Sequence, residues 1–228
     1  MRAPPFSLLS FLGPGFRRGW PLTVAVAAFG IPFGFLARDA GMGPVAPVVM
    51  SATTFAGSAQ FAAVSILGAG GTIAAAVGAA ALLNGRYVPI GLSVASVLGG
   101  PWWRRALLAQ LVVDESWAVA NRGDGRIDRD VLVGAGVLLW LGWVGGTLLG
   151  VLGASVLPDP ETLGLDAAFP ALFLALLAPQ LRSRPNLAAA AGGAAIALAL
   201  HPFAPAGVPI IAAAAACLPG AFLRGERS

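Results

Sequence analysis

Long apolar runs, interrupted by short polar punctuation, dominate this chain. Residues 19–37 carry no charge, and about 20 apolar residues suffice for a helix to cross a hydrocarbon core about 30 Å thick. From 40 to 103 the single charge is Arg86. That stretch is too long for one crossing, and Gly68-Ala69-Gly70-Gly71 marks its turn, giving segments 43–67 and 72–98. Further segments follow at 106–120, which is short, holds Asp114 and Glu115 and either spans or is re-entrant, at 131–157 and at 167–181. Residues 185–223 are uncharged but break at His201-Pro202-Phe203-Ala204-Pro205, so two short segments are expected there. The pattern predicts an all-α polytopic transmembrane helical bundle with seven or eight segments, some short or broken. A cytoplasmic N-terminal tail at 1–19, a single transmembrane domain at 20–223 and a cytoplasmic C-terminal tail at 224–228 complete the division. The tail's apolar stretch 6–12 is short and is followed, not preceded, by arginines, so it does not read as a signal peptide.

Composition sharpens the class. Hydrophobic residues make up 57% and charged residues 11%, with a mean hydropathy of +0.83. A soluble domain carries about 25% charged residues, so a disordered chain and an ordinary soluble enzyme are both excluded. The 31 glycines and 18 prolines suit membrane helices. One cysteine excludes an internal disulfide, and one histidine leaves little for a metal site, so no metal and no cofactor are expected. The 14 basic residues are all arginine and sit in small groups between apolar runs. That layout belongs to loops flanking membrane spans, not to a nucleic-acid face. With the N-terminus inside, eight segments leave Arg122, Arg126, Arg129, Arg182, Arg184, Arg224 and Arg227 inside, and Asp159, Glu161 and Asp166 outside. Arg104 and Arg105 then fall on the outer side, unless a segment before them is re-entrant. Nothing resembles a phosphate loop or a nucleophile–base pair, so neither ATP binding nor an enzyme activity is expected of this chain.

Polar residues inside apolar segments are the candidates for chemistry, because an intramembrane charge costs about 2.5–3.5 kcal/mol at a helix centre on insertion scales. Arg86 sits midway in 72–98, beside Asn84 and Gly85. Asp114 and Glu115 are the only acids inside a segment, which makes them its economical partners; a pair that merely fixes packing, or an interfacial helix with both acids solvated, satisfies the same count. Ser51, Thr54, Ser58 and Ser65 are spaced to share one helix stripe, Thr53 and Gln60 form a second polar line, and Gly57 is a candidate break. Hydroxyls of this kind suit a small polar substrate or ordinary helix packing. Trp140 and Trp143 read as packing residues.

The sequence Phe55-Ala-Gly-Ser-Ala-Gln-Phe61, then Asn84-x-Arg86, then Asp114-Glu115 resembles the AzlC family, the large subunit of branched-chain amino acid exporters. Gly30-x-Pro32-Phe-Gly34 fits the same pattern, and the resemblance covers about 20–160. Tyr87 follows Arg86 where a histidine is frequent in that family. The resemblance implies a secondary transporter exporting branched-chain or other small neutral amino acids across the cell inner membrane, with a small AzlD-like membrane subunit as partner. The residues suggest how a zwitterion is held: Arg86 takes the carboxylate, and Asp114 or Glu115 takes the ammonium group or carries a coupling proton. Ser58 and Gln60, with Gly57 and Asn84 beside them, cradle the backbone atoms, while Phe55 and Phe61 line an apolar pocket. The rival from another class is a non-transporting scaffold or assembly subunit of a membrane complex.

Overall fold

A computed structural model of the protein describes residues 13–122, 126–154, 174, 177, 178, 181, 183–205 and 208–214. Among them the chain forms helices α1 (Pro14–Asp39), α2 (Ala46–Thr54), α3 (Gly57–Gly68), α4 (Ile73–Asn84) and α5 (Tyr87–Val94). These are followed by α6 (Trp102–Ala109), α7 (Asp114–Ala120), α8 (Arg129–Gly153), α9 (Arg184–Leu200) and α10 (Val208–Ala213). The segment expected at 167–181, the acidic loop around 159–166 and the two terminal tails lie wholly or mostly outside the described residues. The all-α membrane class holds. Among the described residues, helices α1 and α8 are long and apolar enough to cross a membrane, and α4 and α5, bent by 46° where they meet, are so when taken together.

Glycine decides how α1 and α8 meet. A Cβ on Gly30 would stand 2.8 Å from the Trp143 carbonyl oxygen, and one on Gly34, Gly146 or Gly150 would collide with backbone of the facing helix. Backbones this close gain dispersion along their whole length, which is how small residues join helices where water supplies no driving force. The contacts climb together: Gly15 meets Asp130 and Gly134, Thr23 meets Gly142, Ala27 meets Gly146, and Gly34 meets Val151. The two helices therefore run parallel, and residues 40–128 must carry the chain back.

That return departs from simple crossings. Gly68, at the end of α3, lies against Ala40 just past the end of α1, at 3.3 Å for a Cβ placed there. The chain thus enters the protein along α2, reverses at Phe55-Ala56 and leaves along α3 by the same end. Phe55 makes the reversal with φ 42, a left-handed backbone seldom adopted by a bulky residue. Helix α4 packs on α3 through Ala63, Ile66, Ala76 and Ala79, and the α4–α5 span then crosses to the other end. There Val94 and Leu98 cluster with Ala120, Val131 and Leu132, the last two at the start of α8. Helix α6 goes in from that end, Leu111 packs on Gly136, and α7 comes back out to Ala120.

Segment 43–67, expected as a crossing, folds instead as a hairpin, and 106–120, open in the sequence between a span and a re-entrant segment, folds as a second hairpin; the two enter from opposite ends. Arg104 and Arg105 accordingly lie at the same end as Arg17, Arg18, Arg122, Arg126 and Arg129, because Arg105 borders a cavity with Leu98 and Trp102. The physical reason is length and hydrogen bonding. Neither α6 nor α7 exceeds 8 residues, or about 12 Å at 1.5 Å per residue, and irregular backbone at depth survives only inside protein.

Candidate functional site

The three interruptions converge. The tip of the α2–α3 hairpin, the bend at Gly85-Arg86 and the tip of the α6–α7 hairpin surround one cavity of about 120 Å³. Its level is near the middle of the long helices, where Val26 and Phe29 of α1 and Leu139 and Trp143 of α8 form its wall. Phe55 and Phe61 add to the apolar side, and Ser58, Arg86, Tyr87, Asp114 and Glu115 make the other side polar. Helix α3 begins at this cavity, so its positive dipole end lies beside it.

Arg86 organises the polar side. Its Nη1 lies 3.1 Å from Asp114 Oδ2, and the two side chains are 40% and 39% exposed, which leaves the pair reachable from the cavity. Its Nη2 donates to Ser58 Oγ at 2.9 Å and to the Tyr87 hydroxyl at 3.4 Å, and the guanidinium lies 5.2 Å from the Tyr87 ring centroid. Glu115 lines the same cavity beside the bridged acid. A cation, a hydroxyl, one paired carboxylate and a second carboxylate thus face an aromatic wall.

Gln60 stands apart from this surface. It is fully buried, and its Oε1 accepts from Ala56 N–H at 3.1 Å and from the Trp143 indole N–H at 3.0 Å. Its Nε2 donates to Ser51 Oγ at 3.0 Å, which in turn meets Thr147 Oγ1 at 2.8 Å. The amide therefore satisfies the backbone freed where α2 ends, and it ties the hairpin to α8. Asn84, at the last turn of α4, does not line the cavity, and its buried Oδ1 has no hydrogen-bond partner among the described residues. Gly57 does line the cavity, and a Cβ there would press on the Trp143 ring at 3.3 Å.

The expected stripe of four hydroxyls does not form, because the chain reverses between Thr54 and Ser58; Ser51 joins the buried network and Ser58 joins Arg86. Reading the residues one by one also missed Trp143, which is packed but borders the cavity as well. Its ring stacks on Phe33 at 5.6 Å and meets Phe61 edge-on at 6.1 Å. Its indole N–H was the available signal, since a buried tryptophan needs an acceptor. Val26, Phe29 and Leu139 carried no such signal.

A family model described as AzlC protein matches residues 21–157. An uncharacterized membrane protein of Archaeoglobus fulgidus is 32% identical over 214 residues, which cover 88% of this chain and 91% of that one. A second, from Helicobacter pylori, is 27% identical over 178 residues, 75% of this chain and 78% of its own. The branched-chain amino acid transport protein AzlC of Bacillus subtilis is 27% identical over 173 residues, covering 72% of this chain and 67% of that protein. No solved structure matches.

Proposed function

Since this chain belongs to the AzlC family, a membrane transport family by the name of its Bacillus subtilis relative, we propose that it exports branched-chain amino acids. The observation that carries this reading is the Arg86–Asp114 bridge at the edge of a cavity whose opposite wall is aromatic and aliphatic. A zwitterion with a branched side chain needs those three surfaces. Its carboxylate binds Arg86 and Ser58 Oγ, favoured by the first turn of α3. The ammonium group takes Asp114, with Glu115 beside it for a second contact or for a coupling proton. The side chain lies against Phe55, Phe61 and Trp143. Gln60 acts from behind, holding the α2–α3 break in shape.

Export runs from the cytoplasm, and the arginine-bearing end of the bundle is the cytoplasmic one under the positive-inside rule. The membrane is then the cell inner membrane, with the N-terminus of α1 on the cytoplasmic side. A small AzlD-like subunit completes the transporter. The carrier works without ATP hydrolysis of its own, as a secondary transporter that alternates access around the cavity.

The test is efflux of labelled valine from preloaded cells, with and without the small partner co-expressed. Saturable efflux that leucine competes with, and that Arg86→Ala abolishes without loss of membrane insertion, is the expected result. Wild-type rates in Arg86→Ala would sink the ion-pair site. Absence of efflux from well-inserted protein in both conditions would point to another substrate or to a purely structural subunit.

A further inference from the structure

A second cavity, of about 460 Å³, lies between α5 and α6. Its lining follows the two helices in opposite directions. At one end stand Leu98, Trp102 and Arg105, and at the other stand Tyr87, Ala109 and Val112. The first group is at the arginine-bearing end of the bundle, since Leu98 packs with Val131 and Leu132 at the start of α8. The second group abuts the site. Tyr87 lines both cavities, and Val112 and Val113, adjacent in the chain, face the second and the first respectively.

We propose that this second cavity is the substrate's route from the arginine-bearing end, with Arg105 receiving the carboxylate at its mouth and Tyr87 closing its inner end. The proposal rests on the reading that the substrate is an amino acid. Arg105 is exposed and is the one charged residue among those lining this cavity, so it is the cation that a carboxylate entering between these apolar walls meets. Apolar walls beyond it suit a branched side chain. At the inner end the Tyr87 hydroxyl accepts from the same Arg86 Nη2 that serves Ser58. A carboxylate arriving at Arg86 competes for that donor and frees the ring. The partition is thereby released by the group that must pass it. Arg105 is a positioning residue in this scheme, and Tyr87 is a gate held by the site itself.

Accessibility tests this separately from transport. In a Cys217→Ala background of the full chain, reconstituted in liposomes, a single cysteine is placed at Ala109 and another, in a separate variant, at Val26. A membrane-impermeant thiol reagent is expected to label Ala109→Cys from the arginine-bearing side only, and valine is expected to slow that labelling. Tyr87→Ala is expected to speed labelling of Val26→Cys from the same side. Arg105→Gln is expected to raise the KM for valine about tenfold with kcat held, as the loss of one hydrogen bond to a charged group would. Labelling of Ala109→Cys by a membrane-permeant reagent alone, or from the opposite side, would overturn the route. Labelling from the expected side that Tyr87→Ala relays to Val26→Cys, but that valine leaves unchanged, supports the route and counts against the choice of substrate instead.

Discussion

Gln60 holds three partners at once, and each belongs to a different piece of the fold: the α2–α3 tip at Ala56, Ser51 on α2 and Trp143 on α8. Gln60→Ala leaves the Ala56 and Trp143 N–H groups buried without acceptors, at about 1–3 kcal/mol for each orphaned donor. A clear fall in the thermal unfolding midpoint in detergent is the expected reading. Ser58→Ala, which removes one acceptor from Arg86, is expected to spare that midpoint and to raise the KM for efflux. The residues of the site were largely legible in the sequence, because burial cost alone singles out Arg86, Asp114 and Glu115 among apolar neighbours. What a line of letters does not reveal is which polar residue faces the cavity and which faces the scaffold. Ser51 and Ser58 are seven apart and identical in type, yet one is bonded to Thr147 and the other to Arg86.

At the scale of elements, the joint between α1 and α8 depends on missing Cβ atoms. Gly146→Ala places a methyl on the Ala27 carbonyl and is expected to destroy folding or membrane insertion, whereas Gly145→Ala, with open space around it, is expected to be silent. Accumulation of the two variants in membrane fractions checks the contrast. The two hairpin tips are tied by Gln110 Nε2, which donates to the Thr53 carbonyl at 2.6 Å. Helix α8 is entered through Asp128, which accepts from the N–H groups of Asp130 and Val131 and pairs with Arg122. Burial raises the pKa of that carboxyl, but the hydrogen bond from Arg122, those from the backbone and the Arg122 charge outweigh it, so the net shift is downward. A depressed carboxyl stabilises the fold above its unfolded pKa, roughly 4, and the contribution disappears as pH falls through the lower folded value. The stability gap between wild type and Asp128→Asn is therefore expected to persist at neutral pH and to close below about pH 4, measured by unfolding in detergent. The pair is partly exposed, so the gap is modest. Hydropathy found where these elements lie but not whether they turn back. Over 43–67 a hairpin and a crossing have the same apolar length, and the contact between Gly68 and Ala40 tells them apart.

For the molecule as a whole, opposed hairpins and a parallel pair of long helices put Arg17, Arg18, Arg104, Arg105, Arg122, Arg126 and Arg129 at one end, with Arg38 at the other. Single cysteines at Arg18, Arg104 and Arg126 are expected to react with an impermeant reagent from one side, and one at Gly70 from the other; Arg104 on the side of Gly70 would refute the re-entrant reading of α6–α7. The parallel arrangement also has a consequence for how the protein is made. Helix α1 cannot meet its glycine-matched partner until residues 40–128 have been synthesised, which at about 5–20 residues per second occupies on the order of ten seconds. During that interval both half-length hairpins emerge with turn backbone that lipid cannot satisfy. Neither has α8 to close against, so each must wait at the insertion machinery or at the bilayer surface. A nascent chain halted before Arg129 is accordingly expected to be degraded faster than one that has completed α8, which pulse–chase labelling of the two checks.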